Sequence, residues 1–275
     1  MDKETAKDTF TLAAVQMTST SVLEENLETA RTFIDQASAG GADMIALPEN
    51  FSLMSETEHQ RQAAAERVSE VEAMLSAAAR DHGAVIIGGS TPLPAPDGRV
   101  TNTCLVFDDQ GRRIGRYDKI HLFDVSVSSS ESYCESRHIA PGNVPLALDA
   151  LGLTLGITIC YDLRFPELYR HLATAGAELF SIPSAFTVPT GQAHWHTLLR
   201  ARAIENLAWV IAPAQVGEHT SGRKTFGHSL IIDPWGGIVA ECAGGPGVIF
   251  AHLDRDKAAQ RRQQFPALTH RVLDR

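Results

Sequence analysis

Short apolar segments alternate along this chain with longer amphipathic segments, and this alternation constrains the fold more than any other feature. The first apolar segment, residues 11–17, is followed by residues 24–39, where apolar side chains recur at the three- and four-residue spacing of a helix. Gly40 and Gly41 then end that helix. Strands that alternate with helices favour sheets covered by helices, so the pattern predicts an α/β fold.

The same pattern continues to the end of the chain. Further strands are predicted over residues 43–47, 84–89, 100–107, 112–117, 153–159, 178–182, 209–213, 229–232, 238–241 and 247–252. Further helices are predicted over residues 56–82, 167–175, 192–205 and 255–264. Residues 108–111 are typical of a hairpin turn. No repeat or linker interrupts the pattern, so we predict one domain over residues 1–275, with its core at about 10–255 and a C-terminal arm at about 256–275.

Composition excludes several classes of protein. The formal net charge of −9 argues against a nucleic-acid-binding protein, which usually carries a basic surface, and against adhesion to an anionic membrane. The polar residues 1–8 lack the apolar core of a signal peptide, and no run of about 18 apolar residues predicts a membrane span. None of the four cysteines forms a C-x-x-C pair. These observations favour a reduced, cytoplasmic location.

One cysteine stands where α/β proteins place reactive groups. Cys160 directly follows the apolar residues 153–159 and precedes a polar turn into the next predicted helix. Reactive side chains gather at the carboxyl ends of strands, where a rigid backbone aims them into a crevice. The alternative is a buried structural cysteine, which is the commoner fate of a single free cysteine.

Two further polar residues interrupt apolar surroundings, and a third lies in a polar loop. Glu49 follows the predicted strand 43–47 and suits a general base, although a solvated loop carboxylate is the commoner case. Lys119 leaves the predicted strand 112–117, where the alternative is an edge strand with solvated charges. Glu135 lies in a polar loop and carries no signal of its own.

Order and spacing strengthen these separate signals. Glu49, Lys119 and Cys160 are 70 and 41 residues apart, each at a predicted strand end. The segments LPENF, YDKIHLFD and CYDLRFPE resemble the three signatures of the nitrilase superfamily of carbon–nitrogen hydrolases. The resemblance extends from about residue 11 to the C-terminus.

The last hundred residues resemble one branch of that family, whose members hydrolyse deaminated glutathione. The segments that carry this likeness are PSAF, GQAHW, LLRARAIE, AQVG, GHS and DPWG, between residues 183 and 236. The neighbouring ω-amidase branch, which acts on α-ketoglutaramate, is similar and remains the alternative, as do other short-chain amidases and carbamoylases. A true nitrilase usually has Cys-Trp-Glu at the nucleophile, whereas this chain has Cys160, Tyr161 and Asp162.

The resemblance implies a four-layer α-β-β-α sandwich, a homodimer or higher homo-oligomer, and no cofactor. It implies Cys160 as nucleophile, Glu49 as general base and acid, Lys119 as oxyanion stabiliser, and Glu135 as a second glutamate that orients the lysine. The chemistry is consistent with these roles, because a free thiol titrates near ~8.5 and needs a base at neutral pH. By analogy with other oxyanion holes, the backbone N–H of Tyr161 is a second candidate donor.

The sequence indicates fewer residues that bind the substrate. Arg164 suits a substrate carboxylate, although a salt bridge to Asp162 or Glu167 is an equal alternative. By resemblance, Phe186 and Thr190 line the same pocket.

The polar loop 217–226 is a candidate for covering the site. Residues 125–132 are Ser-rich, whereas relatives often have proline and glycine there, and residues 261–275 are a candidate interface arm or a solvated tail. No catalytic metal is expected, because the histidines of the HWH segment lie two apart and no H-x-x-x-H occurs. Outside enzymes, the alternative is a non-catalytic binding protein of the same fold.

Overall fold

The computed structural model describes residues 9–127 and 132–273. Residues 1–8, 128–131 and 274–275 lie outside this description, and with them the predicted polar N-terminus, half of the predicted loop 125–132 and the end of the predicted arm. The helices are α1 (Leu23–Ala39), α2 (Glu58–Glu66), α3 (Val68–His82), α4 (Pro166–Thr174), α5 (Val188–Asn206) and α6 (Arg255–Gln264).

The strands run through the whole described chain. They are β1 (Thr9–Gln16), β2 (Met44–Ala46), β3 (Val85–Ile87), β4 (Thr91–Pro94), β5 (Val100–Phe107), β6 (Arg113–Asp118), β7 (Asp124–Ser126), β8 (Ser132–Cys134), β9 (Leu146–Ala150), β10 (Leu153–Ile157), β11 (Leu179–Ser181), β12 (Trp209–Ala212), β13 (Val216–Glu218), β14 (Lys224–Phe226), β15 (Ser229–Ile232), β16 (Ile238–Cys242) and β17 (Gly247–Asp254).

Two large sheets form the centre of the fold. The first has the order β17-β1-β2-β3-β5-β4, with β6 paired to β5, and the second has the order β16-β15-β12-β11-β10-β9. In each sheet three neighbouring strands are parallel, β1-β2-β3 in the first and β10-β11-β12 in the second, and the outer strands are antiparallel. The pairs β7-β8 and β13-β14 form separate hairpins.

Alternation along β1 shows how the layers stack. Leu12 and Ala14 belong to the apolar core that the two sheets share, while Ala13 and Val15 pack with the residues of α1 and α3. Successive side chains of a strand point to opposite faces, so this strand is buried on both sides. Helices α4 and α5 cover the outer face of the second sheet. The result is the predicted four-layer α-β-β-α sandwich.

Several predicted boundaries were wrong. The single helix predicted over residues 56–82 is two helices, because Arg67 leaves helical geometry at φ −99° and ψ 17° and its guanidinium binds Glu24 and Glu70. The Ala- and Glu-rich sequence is helical on both sides of this break and therefore hides it. The strand predicted over residues 153–159 ends at Ile157, since the chain turns there towards Cys160.

Among the described residues, no helix is long and apolar enough to cross a membrane. Helix α6, predicted at the same bounds, packs on its own chain. Arg262 donates from Nε to the carbonyl oxygen of Leu207 at 2.9 Å and from Nη2 to that of Ala177 at 2.8 Å. The predicted arm is thus docked at Arg262, whereas Val272 and Leu273 near its end are exposed.

A buried carboxylate joins the two sheets beside the predicted nucleophile. Asp162 accepts hydrogen bonds from the Tyr117 hydroxyl at 2.7 Å, from the Ile159 N–H at 2.8 Å, and from the His121 N–H at 3.1 Å. Tyr117 belongs to β6 of the first sheet, while Asp162 follows β10 of the second. This carboxylate therefore fixes the turn after Cys160 against the opposite sheet.

We expect Asp162→Ala to lower the free energy of unfolding by roughly 2–4 kcal/mol, because it leaves the buried Tyr117 hydroxyl without its acceptor. Urea denaturation measures the loss. The matched control, Asp149→Ala, removes an exposed carboxylate from β9 and is expected to change stability by about 0.5 kcal/mol or less. Equal stability of the two variants would contradict the proposed bridging role.

Candidate active site

Three predicted site residues meet in one buried ionic cluster. The Lys119 ammonium lies 2.9 Å from Glu49 Oε1 and 3.1 and 3.0 Å from the two carboxylate oxygens of Glu135. Lys119 and Glu49 are both buried, at 2% and 3% exposure. Glu49 follows β2, Lys119 follows β6, and Glu135 follows β8, so three strand ends converge here.

Electrostatics within the cluster keep these groups charged. Burial alone lowers the pKa of Lys119, but the charges of Glu135 and Glu49 outweigh it and hold that pKa well above its ordinary value. Burial alone raises the pKa of Glu49, but the charge and hydrogen bond of Lys119 outweigh it and hold that pKa below 4.5. At neutral pH, Glu49 is therefore a carboxylate beside an ammonium group.

Cys160 faces this cluster from the second sheet. Its φ of 50° is in the left-handed region that non-glycine residues rarely adopt, and its N–H donates to the Pro183 carbonyl oxygen at 2.9 Å. Its side chain lines the same cavity as Glu49 and Lys119, and both of these groups act on its pKa. Burial, followed by the charge of Glu49, raises the pKa of the thiol. The resting group is therefore a neutral thiol in the field of a carboxylate.

Other polar groups hold the carboxylates in place. Asn102 Nδ2 donates to Glu49 Oε1 at 3.0 Å and to Glu135 Oε1 at 3.4 Å, and the Phe123 N–H donates to Glu135 Oε2 at 2.7 Å. Gln215 Nε2 donates to the Glu49 carbonyl oxygen at 2.9 Å. The buried Oδ1 of Asn102 has no hydrogen-bond partner among the described residues. Asn102 was missed in the sequence because it lies within strand β5, between two threonines that are buried in the same way.

Cys160 lines a cavity of about 220 Å³. The remaining predicted pocket residues, Tyr161, Arg164, Phe186 and Thr190, all line it as well. Such a cavity suits a small molecule rather than a polymer.

Two further arginines line the cavity, Arg61 and Arg223, and the sequence did not single out either. Arg61 is one charged residue of the Ala- and Glu-rich α2, without a distinguishing pattern. Arg223 lies within the polar loop 217–226 that was predicted to cover the site. That prediction was the only indication in the sequence that Arg223 lies near the cavity. That loop is the hairpin β13-β14.

Arg164 makes neither of the salt bridges considered for it. Its Nη1 lies 3.3 Å from His194 Nδ1, and its guanidinium stands 5.8 Å from the Tyr161 ring centre and 5.5 Å from that of Phe186. Among the described residues no carboxylate pairs with it. The cavity wall therefore presents a cation held by aromatic rings.

The histidines of the HWH segment point in different directions. His194 contacts Arg164, whereas His196 Nε2 lies 3.0 Å from Glu241 Oε1. His228 Nδ1 also contacts that oxygen, at 2.7 Å, so His196, His228 and Glu241 bring three side chains of kinds that metals accept into one group. None of the three lines the cavity with Cys160.

Known proteins are similar to this chain in sequence and fold. The family model described as carbon-nitrogen hydrolase matches residues 11–263. A deaminated glutathione amidase from Synechocystis sp. is 44% identical over 96% of this chain and 98% of its own length. Omega-amidase NIT2 from Homo sapiens is 33% identical over 96% of each. The crystal structure of the C. elegans NitFhit protein is 36% identical and matches 98% of this chain and 66% of its own with a TM-score of 0.91.

This chain belongs to the carbon–nitrogen hydrolase family, within the nitrilase superfamily. It is a hydrolase that acts on carbon–nitrogen bonds other than peptide bonds.

We expect Glu49→Gln to lower kcat/KM for amide hydrolysis by about 10²–10⁴-fold, because an amide cannot accept the thiol proton. Steady-state kinetics measure the loss, and circular dichroism checks that the variant is folded. The control, Glu66→Gln, changes an exposed residue of α2 and is expected to retain full activity. A Glu49→Gln enzyme of near-normal rate would rule out a general-base role.

The pH profile follows from the lowered pKa of Glu49. Its carboxylate stabilises the fold above the unfolded pKa of about 4.5, and this contribution is lost only as the pH falls through the lower folded pKa. If the ionised form is the catalytic base, kcat/KM should stay level from neutral pH down to about 5 and fall below 4.5. An acid limb centred between pH 6 and 7, in protein that circular dichroism shows to be folded, would contradict this assignment.

Proposed function

We propose that this protein is a thiol amidase with Cys160 as nucleophile, Glu49 as general base and acid, and Lys119 as oxyanion stabiliser. One observation carries the proposal: the Glu49 carboxylate accepts a hydrogen bond from the Lys119 ammonium at 2.9 Å, and both groups line one small-molecule cavity with Cys160. A nucleophile, a neighbouring base and an adjacent cation are the groups that acyl transfer needs.

In the acylation half, Glu49 takes the thiol proton as the Cys160 sulfur attacks the amide carbon. Negative charge develops on the former carbonyl oxygen, where the Lys119 ammonium and the Tyr161 N–H stabilise it. The protonated Glu49 then donates its proton to the departing nitrogen. The carbon–nitrogen bond breaks, a neutral amine leaves, and the acyl group remains on the sulfur as a thioester.

In the deacylation half, a water molecule attacks the thioester carbon while Glu49 accepts its proton. The carbon–sulfur bond breaks, the proton returns to the sulfur, and the free acid leaves. Glu135 acts here as a positioning residue, because both its carboxylate oxygens bind the Lys119 ammonium. This sequence requires no cofactor and no metal ion.

We propose deaminated glutathione as the substrate, as a member of the class of small carboxylate-bearing 2-oxo amides. The most direct support is the 44% identity to a protein of that name in Synechocystis sp.. The Arg164 guanidinium adds support, since it lines the cavity and has no carboxylate partner among the described residues. Deaminated glutathione is glutathione whose α-amino group is replaced by a keto oxygen, so cleavage releases 2-oxoglutarate and a dipeptide amine.

The second candidate is an ω-amidase acting on α-ketoglutaramate, which the 33% identity to human omega-amidase NIT2 supports. That substrate has the same 2-oxo acid but releases ammonia. Other short-chain amides and carbamoyl compounds are weaker candidates. A non-catalytic binding protein is disfavoured, because an unused base and nucleophile would not need to stand with a buried ammonium at one cavity.

We also propose that the protein is cytoplasmic and forms a homodimer or higher homo-oligomer. Support for assembly comes from Trp235 and Phe265, two exposed aromatic residues whose rings pack edge to face beside the C-terminal arm.

The substrate assignment is tested with the wild-type enzyme and Cys160→Ala. Deaminated glutathione and α-ketoglutaramate are supplied separately, and 2-oxoglutarate and ammonia are both measured. We expect kcat/KM to be higher for deaminated glutathione, with 2-oxoglutarate but no ammonia released, and no turnover by Cys160→Ala. The control, Cys242→Ser, changes a cysteine that does not line the cavity and should retain activity. Equal or better turnover of α-ketoglutaramate would overturn the first choice.

A further inference from the structure

The cavity carries more positive charge than the catalytic cluster uses. Lys119 is paired with Glu49 and Glu135, but three guanidinium groups, of Arg61, Arg164 and Arg223, line the same cavity. Among the described residues, none of the three arginines has a carboxylate within ion-pair distance. The chain as a whole has a net charge of −9, so this concentration of unpaired cations is local. It indicates an anionic ligand with more than one charge.

Arg223 is held in place, but one of its hydrogen-bond donors has no acceptor. Its Nη2 donates to the Ala185 carbonyl oxygen at 2.6 Å, and its guanidinium stands 5.3 Å from the Tyr133 ring centre. Its Nε–H is buried and has no hydrogen-bond acceptor among the described residues. A buried donor without an acceptor is costly and uncommon in proteins, so a ligand oxygen is the expected partner.

Arg61 reaches the cavity from a different element, helix α2. Its side chain makes no hydrogen bond to any described residue. Burial lowers the pKa of this guanidinium, and the charges of Glu135 and Glu58 only partly oppose that effect. Arg61 is therefore a partly dehydrated cation that lacks a direct counter-ion, which is the arrangement that favours binding of an anion.

We infer that Arg61 and Arg223 form a second carboxylate-binding subsite, which holds the carboxylate on the leaving-group side of the amide. This inference rests on the proposed function. Arg164 lies on the turn that begins at Cys160, so it is placed for the acyl part that stays on the sulfur. Arg61 lies on α2 and Arg223 on the hairpin β13-β14, both away from that turn. We therefore assign these two arginines to the part of the substrate that departs.

The two candidate substrates differ in the group that departs when the amide bond is cleaved. Deaminated glutathione carries a second carboxylate at the end of its departing dipeptide, about 7 Å from the scissile bond when extended. The ω-amide α-ketoglutaramate carries none, because its departing group is ammonia. The subsite therefore makes the protein selective for amides with a carboxylate on each side of the scissile bond.

The test compares deaminated glutathione with its C-terminal carboxamide, which is similar in shape but neutral at that end. We expect the wild-type enzyme to favour the carboxylate by about ten- to a hundredfold in kcat/KM, chiefly through KM. Arg223→Gln and Arg61→Gln should each reduce this preference at least threefold, and the double variant should bring it close to one. The control, Lys224→Gln, removes an exposed cation from the same hairpin and should retain the full preference.

Two additions separate binding from folding and from the proposed function. Arg223→Lys keeps the charge and should retain part of the preference. If Arg223 were merely structural, its replacement would lower kcat/KM equally for both compounds. In a Cys160→Ala background, calorimetry measures Kd for both compounds without turnover, and Arg223→Gln should weaken only the carboxylate form, by about tenfold.

Retention of the wild-type preference in the double variant would overturn the subsite and leave the amidase assignment standing. Failure of the wild-type enzyme to hydrolyse deaminated glutathione would instead overturn the proposed function.

Discussion

The active site depends on one buried ammonium group. Removing Lys119 from water is costly, and only the close approach of Glu49 and Glu135 compensates for it. Two carboxylates around one ammonium leave a negative charge in the cluster, and the charge of Glu49 contributes to the raised pKa of the Cys160 thiol. Under the proposed mechanism, the carboxylate that helps to keep the thiol protonated at rest is also the base that removes its proton during attack. Hydrogen bonds from Asn102 and from the backbone N–H of Phe123 hold the two carboxylates beside the ammonium.

This cluster crosses the interface between the two sheets. Glu49 and Lys119 follow strands of the first sheet, whereas Cys160 follows β10 of the second. The site is therefore complete only when the sheets pack, and Asp162 bonds across the same interface next to the nucleophile. The strained backbone at Cys160 is held by these neighbours, which aim the sulfur at Glu49 and the cavity. Packing of the apolar core and assembly of the catalytic groups are the same event.

Much of this arrangement was predictable. Alternating apolar and amphipathic segments indicated the α/β class, the family resemblance implied the four layers, and Glu49, Lys119 and Cys160 each stood at a predicted strand end. Other features were hidden. The break at Arg67 depends on ion pairs with Glu24 and Glu70 rather than on a change in helix propensity. Asn102 lies within a buried strand, where pattern alone does not separate a structural amide from one that holds catalytic carboxylates.

The chain's local patterns predicted the α/β class, much of the order of strands and helices, and the candidate reactive groups, because hydrophobic periodicity and family signatures are properties of nearby residues. The surroundings of those groups came only from the folded chain. The raised pKa of the Cys160 thiol, the shared contacts of Lys119 and the meeting of Arg61, Arg164 and Arg223 around one cavity all join residues far apart in the sequence. Burial and charge balance are set by such distant neighbours, so substrate selectivity is a tertiary property of this protein.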